Sequence, residues 1–118
     1  MKRKISYGDK VYLATHGVDM RKQINGLAAV VQGVFGADLF DGSMFVFCNS
    51  NRTIVKILAW EIDSFVLYYK RRERGRFWWP KFDASEDGTV LVSENDLNRL
   101  LDGLVMEQFV PKKNYAVI

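Results

Sequence analysis

A basic and aromatic run in the middle of the chain has the side chains best suited to chemistry. Residues 70–81 hold six basic residues and one acid, and the run includes the aromatic segment Phe77-Trp78-Trp79-Pro80. Guanidinium groups match phosphate oxygens in a bidentate geometry, and aromatic faces stack on unpaired bases. The run therefore predicts a nucleic-acid-binding surface. Phe77, Trp78 and Trp79 have two other interpretations, as core residues or as a surface that docks on another protein.

Two further bases, Arg21 and Lys22, follow Asp19, which we interpret as the N-cap of a helix. A helix N-terminus beside basic residues suits a phosphate, although a capping aspartate with two solvated bases is the simpler interpretation. The complete predicted nucleic-acid site comprises Arg21, Lys22, Lys70, Arg71, Arg72, Arg74 and Arg76.

Catalytic patterns are weak in this sequence. His16 is the single histidine, and Cys48, the single cysteine, lies in an apolar run typical of a buried thiol. The acidic residues show no metal-ligand spacing. Lys56 shares a predicted strand face with apolar residues. If that face is covered, its ammonium group needs a carboxylate partner or must reach water, and we expect it to reach water. We therefore predict no catalytic residue, no metal, no cofactor and no enzymatic activity.

Length and charge restrict the class of protein. The chain has 118 residues and a formal net charge of +3, which suits one domain spanning residues 1–118. The charge is uneven, at +4 over residues 1–37, +5 over residues 70–81 and −6 over residues 83–107. One cysteine excludes an internal disulfide, and no apolar run reaches the roughly 20 residues that span a bilayer. We expect a cytoplasmic protein with no membrane partner.

Hydrophobic periodicity predicts the elements that position these residues. Apolar residues of 24–31 recur at helical spacing, three β-type runs between 44 and 69 are joined by polar turns, and Ser93 begins a second helical pattern. We predict an α+β fold: a single domain with an antiparallel β-meander, a long N-terminal helix packed on one face and a short C-terminal helix. We expect residues 1–9 and 109–118 to be flexible.

Two motifs in this order resemble a known family. They are Asp19-Met20-Arg21-Lys22 and, about fifty residues later, Lys70-Arg71 with Glu73-Arg74-Gly75-Arg76-Phe77. Together they are similar to the TnpB-type, second-reading-frame accessory protein of the insertion-sequence-sixty-six transposon family, over residues 10–104. His16 and Arg72 depart from the family pattern, where we expect a small residue and an apolar residue.

The resemblance implies a helper protein for transposition of a bacterial mobile element, encoded beside a separate transposase. We predict a non-catalytic accessory protein in this form of DNA recombination, with element-end DNA and the transposase as partners. The alternative is a protein-interaction module that docks on the transposase, or self-associates as a homo-oligomer, through the Phe77-Pro80 segment.

Overall fold

A computed structural model describes residues 10–82 and 88–106 of the chain. The predictions made for residues 1–9 and 109–118 lie outside these ranges. The described part contains five strands and two helices. The strands are β1 (Val11–Ala14), β2 (Met44–Cys48), β3 (Ile54–Glu61), β4 (Ser64–Arg71) and β5 (Thr89–Val92), and the helices are α1 (Ile24–Val30) and α2 (Glu94–Leu101).

The five strands form one mixed sheet in the order β4-β3-β2-β1-β5. The antiparallel meander that we expected extends only from β2 to β4. β1 pairs in parallel with β2 and antiparallel with β5. A parallel pair needs a crossover connection, and the segment that contains α1 supplies it.

The prediction of an α+β fold with a long N-terminal helix is wrong, and the protein is mostly β. α1 has seven residues, followed by a five-residue π-helical turn, Val31–Phe35, which ends at Gly36 with φ +62°. The N-cap of α1 is Gln23, without a side-chain cap, and Asp19 is not the N-cap. Residues 19–22 form a turn instead, because the Asp19 carboxylate accepts a hydrogen bond from the Arg21 backbone N–H.

Both faces of the sheet are covered, so β2 is buried along its whole length. One face packs on α1, whose Leu27 lies against the side of β2 that carries Phe45. The other face packs on α2 and on the Phe77–Trp79 segment. Ser93 caps α2 by accepting the Asp96 N–H at 3.0 Å, as the sequence predicted.

Candidate nucleic-acid interface

The strand registers bring three separate loops to one end of the sheet. β1, β2 and β4 all finish there, because β1 runs parallel to β2 and β3 runs antiparallel to both of its neighbours. The loops are residues 15–23, 49–53 and 72–82. We call this the basic end. The loops contribute Arg21, Lys22, Arg52, Arg72, Arg74, Arg76 and Lys81, and the end of β4 adds Lys70 and Arg71.

Acidic residues collect at the opposite end of the sheet. That end holds the segment before β2, the turn between β3 and β4, and the start of α2. Within the described residues its only base is Lys10, and its acids are Asp38, Asp41, Glu61, Asp63 and Glu94. The described acids at the basic end are Asp19 and Glu73 in the loops and Asp102 at the end of α2, near Lys70. Among the described residues, bases therefore outnumber acids at this end of the strands, and acids outnumber bases at the other.

Arg21 is held by a neighbouring carboxylate. Its side chain is 91% exposed, and its guanidinium donates to both carboxylate oxygens of Asp19, with a shortest distance of 2.6 Å. Hydrogen bonds from Arg21 lower the pKa of Asp19 to about 2, so the carboxylate is ionised at neutral pH. Arg21 therefore points into solvent with its charge partly balanced.

Lys56, which the sequence places on a strand face with apolar residues, lies inside the protein. The expectation that its ammonium reaches water is wrong, because the residue is 2% exposed. Its Nζ donates to the backbone carbonyls of Met20 and Lys22, both at 2.8 Å, and to Gln23 Oε1 at 3.4 Å. Lys56 therefore fastens the turn that presents Arg21 and Lys22. The only sequence signal is a lysine at an inward-facing strand position.

The bases at the end of β4 point to both faces of the sheet, because side chains alternate along a strand. Arg71 lies on the α1 face, and its Nε donates to Glu73 at 2.9 Å. Lys70 lies on the α2 face and donates to the Leu101 carbonyl. Arg72 follows β4, and its guanidinium lies over the Phe77 ring at 5.8 Å. These three bases are therefore partly occupied by protein contacts.

Arg52, which lies outside the predicted site, connects two loops of the basic end. Its backbone carbonyl accepts the Phe77 N–H at 2.6 Å. Its guanidinium donates to Cys48 Sγ at 3.1 Å and lies 5.5 Å from the centre of the Trp79 ring. The backbone φ of Arg52 is +62°, in the left-handed region that residues other than glycine adopt mainly in tight turns.

Arg74 and Arg76 are the most available of the predicted bases. Both are exposed, and among the described residues their guanidinium groups have no hydrogen-bond or ion-pair partner. Lys22 is also exposed. A phosphate at the basic end would meet these groups without displacing an existing ion pair.

The aromatic segment lies mostly inside the protein. Phe77 is 2% exposed and Trp79 is 6% exposed, while Trp78 is partly buried and packs against the same cluster. Trp79 Nε1 donates to the Ala14 carbonyl at 2.9 Å. Phe77 and Trp79 therefore belong to the core, and neither presents a ring to a base or to a protein partner in this conformation.

The remaining polar groups form no recognisable reactive centre within the described ranges. Burial raises the pKa of the Cys48 thiol to about 11, although the Arg52 guanidinium opposes the shift. His16 lines a depression of about 210 Å³ together with Asp19 and Lys22. No group of three or more His, Cys, Asp or Glu residues in the described chain is placed to hold a metal. No helix there is long and apolar enough to cross a membrane.

Fold and site together define a small, mostly β protein whose opposite charges lie at opposite ends of one sheet. The chain belongs to the family of IS66 Orf2-like proteins, whose family model matches residues 9–111. This membership associates it with transposition, as an accessory protein of an insertion sequence.

Two curated relatives come from Sinorhizobium fredii (strain NBRC 101917 / NGR234). The uncharacterized protein y4hO is 35% identical over 95 residues, which cover 80% of each chain. The uncharacterized protein y4jC is 31% identical over 99 residues, which cover 84% of this chain and 82% of the relative. No solved structure matches the chain significantly.

Proposed function

We propose that this protein is a non-catalytic accessory factor of insertion-sequence transposition that binds DNA through the basic end. One observation carries the proposal: three loops that are distant in sequence, together with the end of β4, bring nine basic residues to one end of the sheet, while five acids lie at the other. A duplex has a dense row of phosphates, and a one-sided cluster of bases is the surface that such a polyanion attracts.

Arg74, Arg76 and Lys22 would make the first phosphate contacts, because their side chains are exposed. Arg21 and Arg71 would add long-range attraction, weakened by their ion pairs with Asp19 and Glu73. Phosphate contacts give affinity with little sequence discrimination. The separated charges would also orient the protein as it approaches DNA, with the acidic end turned away.

A gel-shift experiment across a salt series tests the proposal with two variants of equal charge. Arg74→Ser combined with Arg76→Ser removes two charges from the basic end. Lys10→Glu changes the charge by the same amount at the opposite end. With element-end duplex, we expect the double variant to bind about tenfold or more weakly and to reduce the salt slope by about 2.

The Lys10→Glu variant should bind nearly as well as the unmodified protein. Equal weakening in both variants would show that net charge, and not the basic end, controls binding. Affinity that does not change with salt would also contradict the proposal. An unrelated duplex in parallel measures sequence discrimination, which we expect to be small.

A further inference from the structure

β4 is an edge strand with an open side. It lies at one border of the sheet, and it pairs with β3 along all eight of its residues without interruption. No other strand in the described part of the chain pairs with it. The opposite border is β5, which has only four residues. β4 therefore offers the longer unpaired row of backbone groups.

The hydrogen-bond pattern identifies which backbone groups of β4 face outward. The Arg72 N–H donates to the Thr53 carbonyl at 2.9 Å, so the backbone groups of Arg72 face β3. Backbone groups of an antiparallel pair alternate between facing the partner and facing away. The outward-facing residues of β4 are therefore Phe65, Leu67, Tyr69 and Arg71.

The middle of this edge lacks the devices that usually prevent pairing. Exposed edges are generally protected by proline, charged side chains, bulges or a short strand. The central residues 65–69 of β4 are Phe-Val-Leu-Tyr-Tyr, without charge or proline, and Tyr69 is 55% exposed. Lys70 follows them, but its ammonium is bound to the Leu101 carbonyl on the α2 side.

We propose that two copies of the chain dimerise by pairing β4 with β4 in antiparallel orientation, which joins the two sheets into one. The twofold axis passes through Leu67, so Leu67 faces its own copy and Phe65 faces Tyr69. In the same register, Asp63 of each copy lies opposite Arg71 of the other. This register places a carboxylate opposite a guanidinium at each end of the paired segment.

Neighbouring registers are less favourable. Pairing requires outward-facing residues to oppose one another, so the register changes in steps of two residues. One step pairs residues 65–71 of both copies and places the charged Arg71 opposite the apolar Phe65. The opposite step brings Ile62 into the ladder, but Ile62 has φ +61°, which extended pairing does not allow. The Leu67 register pairs residues 64–70 of both copies, places Arg71 opposite Asp63 and leaves Ile62 outside.

Whole-molecule electrostatics support the same arrangement. Antiparallel pairing places the basic end of each copy beside the acidic end of the other, so the opposite charges of the two copies attract. This inference does not depend on DNA binding, because its contacts come from β4 and the turn before it.

Sedimentation velocity over a concentration series tests the dimer with the full chain. We expect a species of twice the 13.6 kDa monomer mass. Asp63→Arg or Arg71→Asp alone places like charges opposite each other at two symmetric positions, and each should weaken dimerisation about tenfold. The double variant restores opposite charges and should regain the original dissociation constant within about threefold. Glu94→Arg, with the same charge change as Asp63→Arg at the acidic end, should have little effect.

A second variant tests the ladder itself. Leu67→Pro removes an outward N–H that no bond within the copy uses, and it should give a monomer with β-type circular dichroism. The proposal is overturned by a wild-type protein that stays monomeric at all concentrations. It is also overturned by a dimer that resists the single charge reversals, or by a double variant that dimerises no better than they do.

Discussion

Lys56 is a buried cation whose bonded partners are neutral oxygens. Its Nζ lies 2.8 Å from the carbonyls of Met20 and Lys22, 36 and 34 residues earlier in the chain, and 5.7 Å from the Tyr69 ring centre. A buried ammonium is costly unless its hydrogen bonds are satisfied, and here it also satisfies carbonyls that a helix would otherwise have used. The Lys56 side chain thus fixes the position of the turn formed by residues 19–22.

Lys56→Met should destabilise the protein, because methionine fills similar volume but leaves the Met20 and Lys22 carbonyls without their donor. We expect the free energy of unfolding in urea to fall by about 2–4 kcal/mol, since each buried unsatisfied group costs about 1–3 kcal/mol. Lys10→Met, at an exposed lysine, is the control and should change stability by under about 0.5 kcal/mol. Similar stability in both variants would argue against a structural role for Lys56.

At the scale of elements, the loops of the basic end are packed against one another. The Val18 N–H donates to the Cys48 carbonyl at 2.8 Å. A Cβ at Gly17 would lie only 2.8 Å from the Ser50 backbone nitrogen. The first loop therefore approaches the β2–β3 turn closely only because residue 17 has no side chain.

Gly17→Ala should push these two loops apart and lower the free energy of unfolding by about 1–3 kcal/mol, the usual cost of overpacking. Gly33→Ala is a matched control, because a Cβ there would meet nothing within 4 Å. In a helical turn this change should be neutral or stabilising by up to about 1 kcal/mol. The two variants are compared by urea denaturation, and a shift of the same sign and size in both would refute the packing argument.

At the scale of the whole molecule, the aromatic segment connects the basic end to the core. Trp79 lies among the residues that α2 packs against, and its indole N–H bonds to Ala14 at the end of β1. The Phe77 backbone N–H bonds to the carbonyl of Arg52. The loop of residues 72–82 is therefore attached both to the end of β1 and to the β2–β3 turn, and its position depends on the core.

Trp79→Ala should lower the free energy of unfolding by about 3–5 kcal/mol, a large part of the 5–15 kcal/mol typical of a domain. Trp78→Ala is the comparison. Because Trp78 is only partly buried, this variant should lower the free energy of unfolding by less. Thermal and urea unfolding curves measure both. A Trp79→Ala protein as stable as the unmodified chain would contradict the core role of Trp79 and would favour its interpretation as an interface residue.

Local patterns predicted most of the strands. Runs of β-branched and aromatic residues correctly located β2, β3 and β4, and Ser93 correctly predicted the start of α2. The extent of the first helix was wrong, because the apolar stripe does not reveal that Asp19 closes a turn or that Lys56 draws away two carbonyls. Parallel pairing of β1 with β2 was also missed, since no local signal encodes it.

The sequence by itself determined the family, the strand-forming segments and the uneven distribution of charge along the chain. Only the tertiary structure decided that bases from residues 15–23, 49–53 and 70–76 meet at one end of the sheet, and that Phe77 and Trp79 face the core. The physical reason is that strand register and direction position the loops. Both arise from contacts between residues distant in sequence, such as the parallel pairing of Leu13 with Val46.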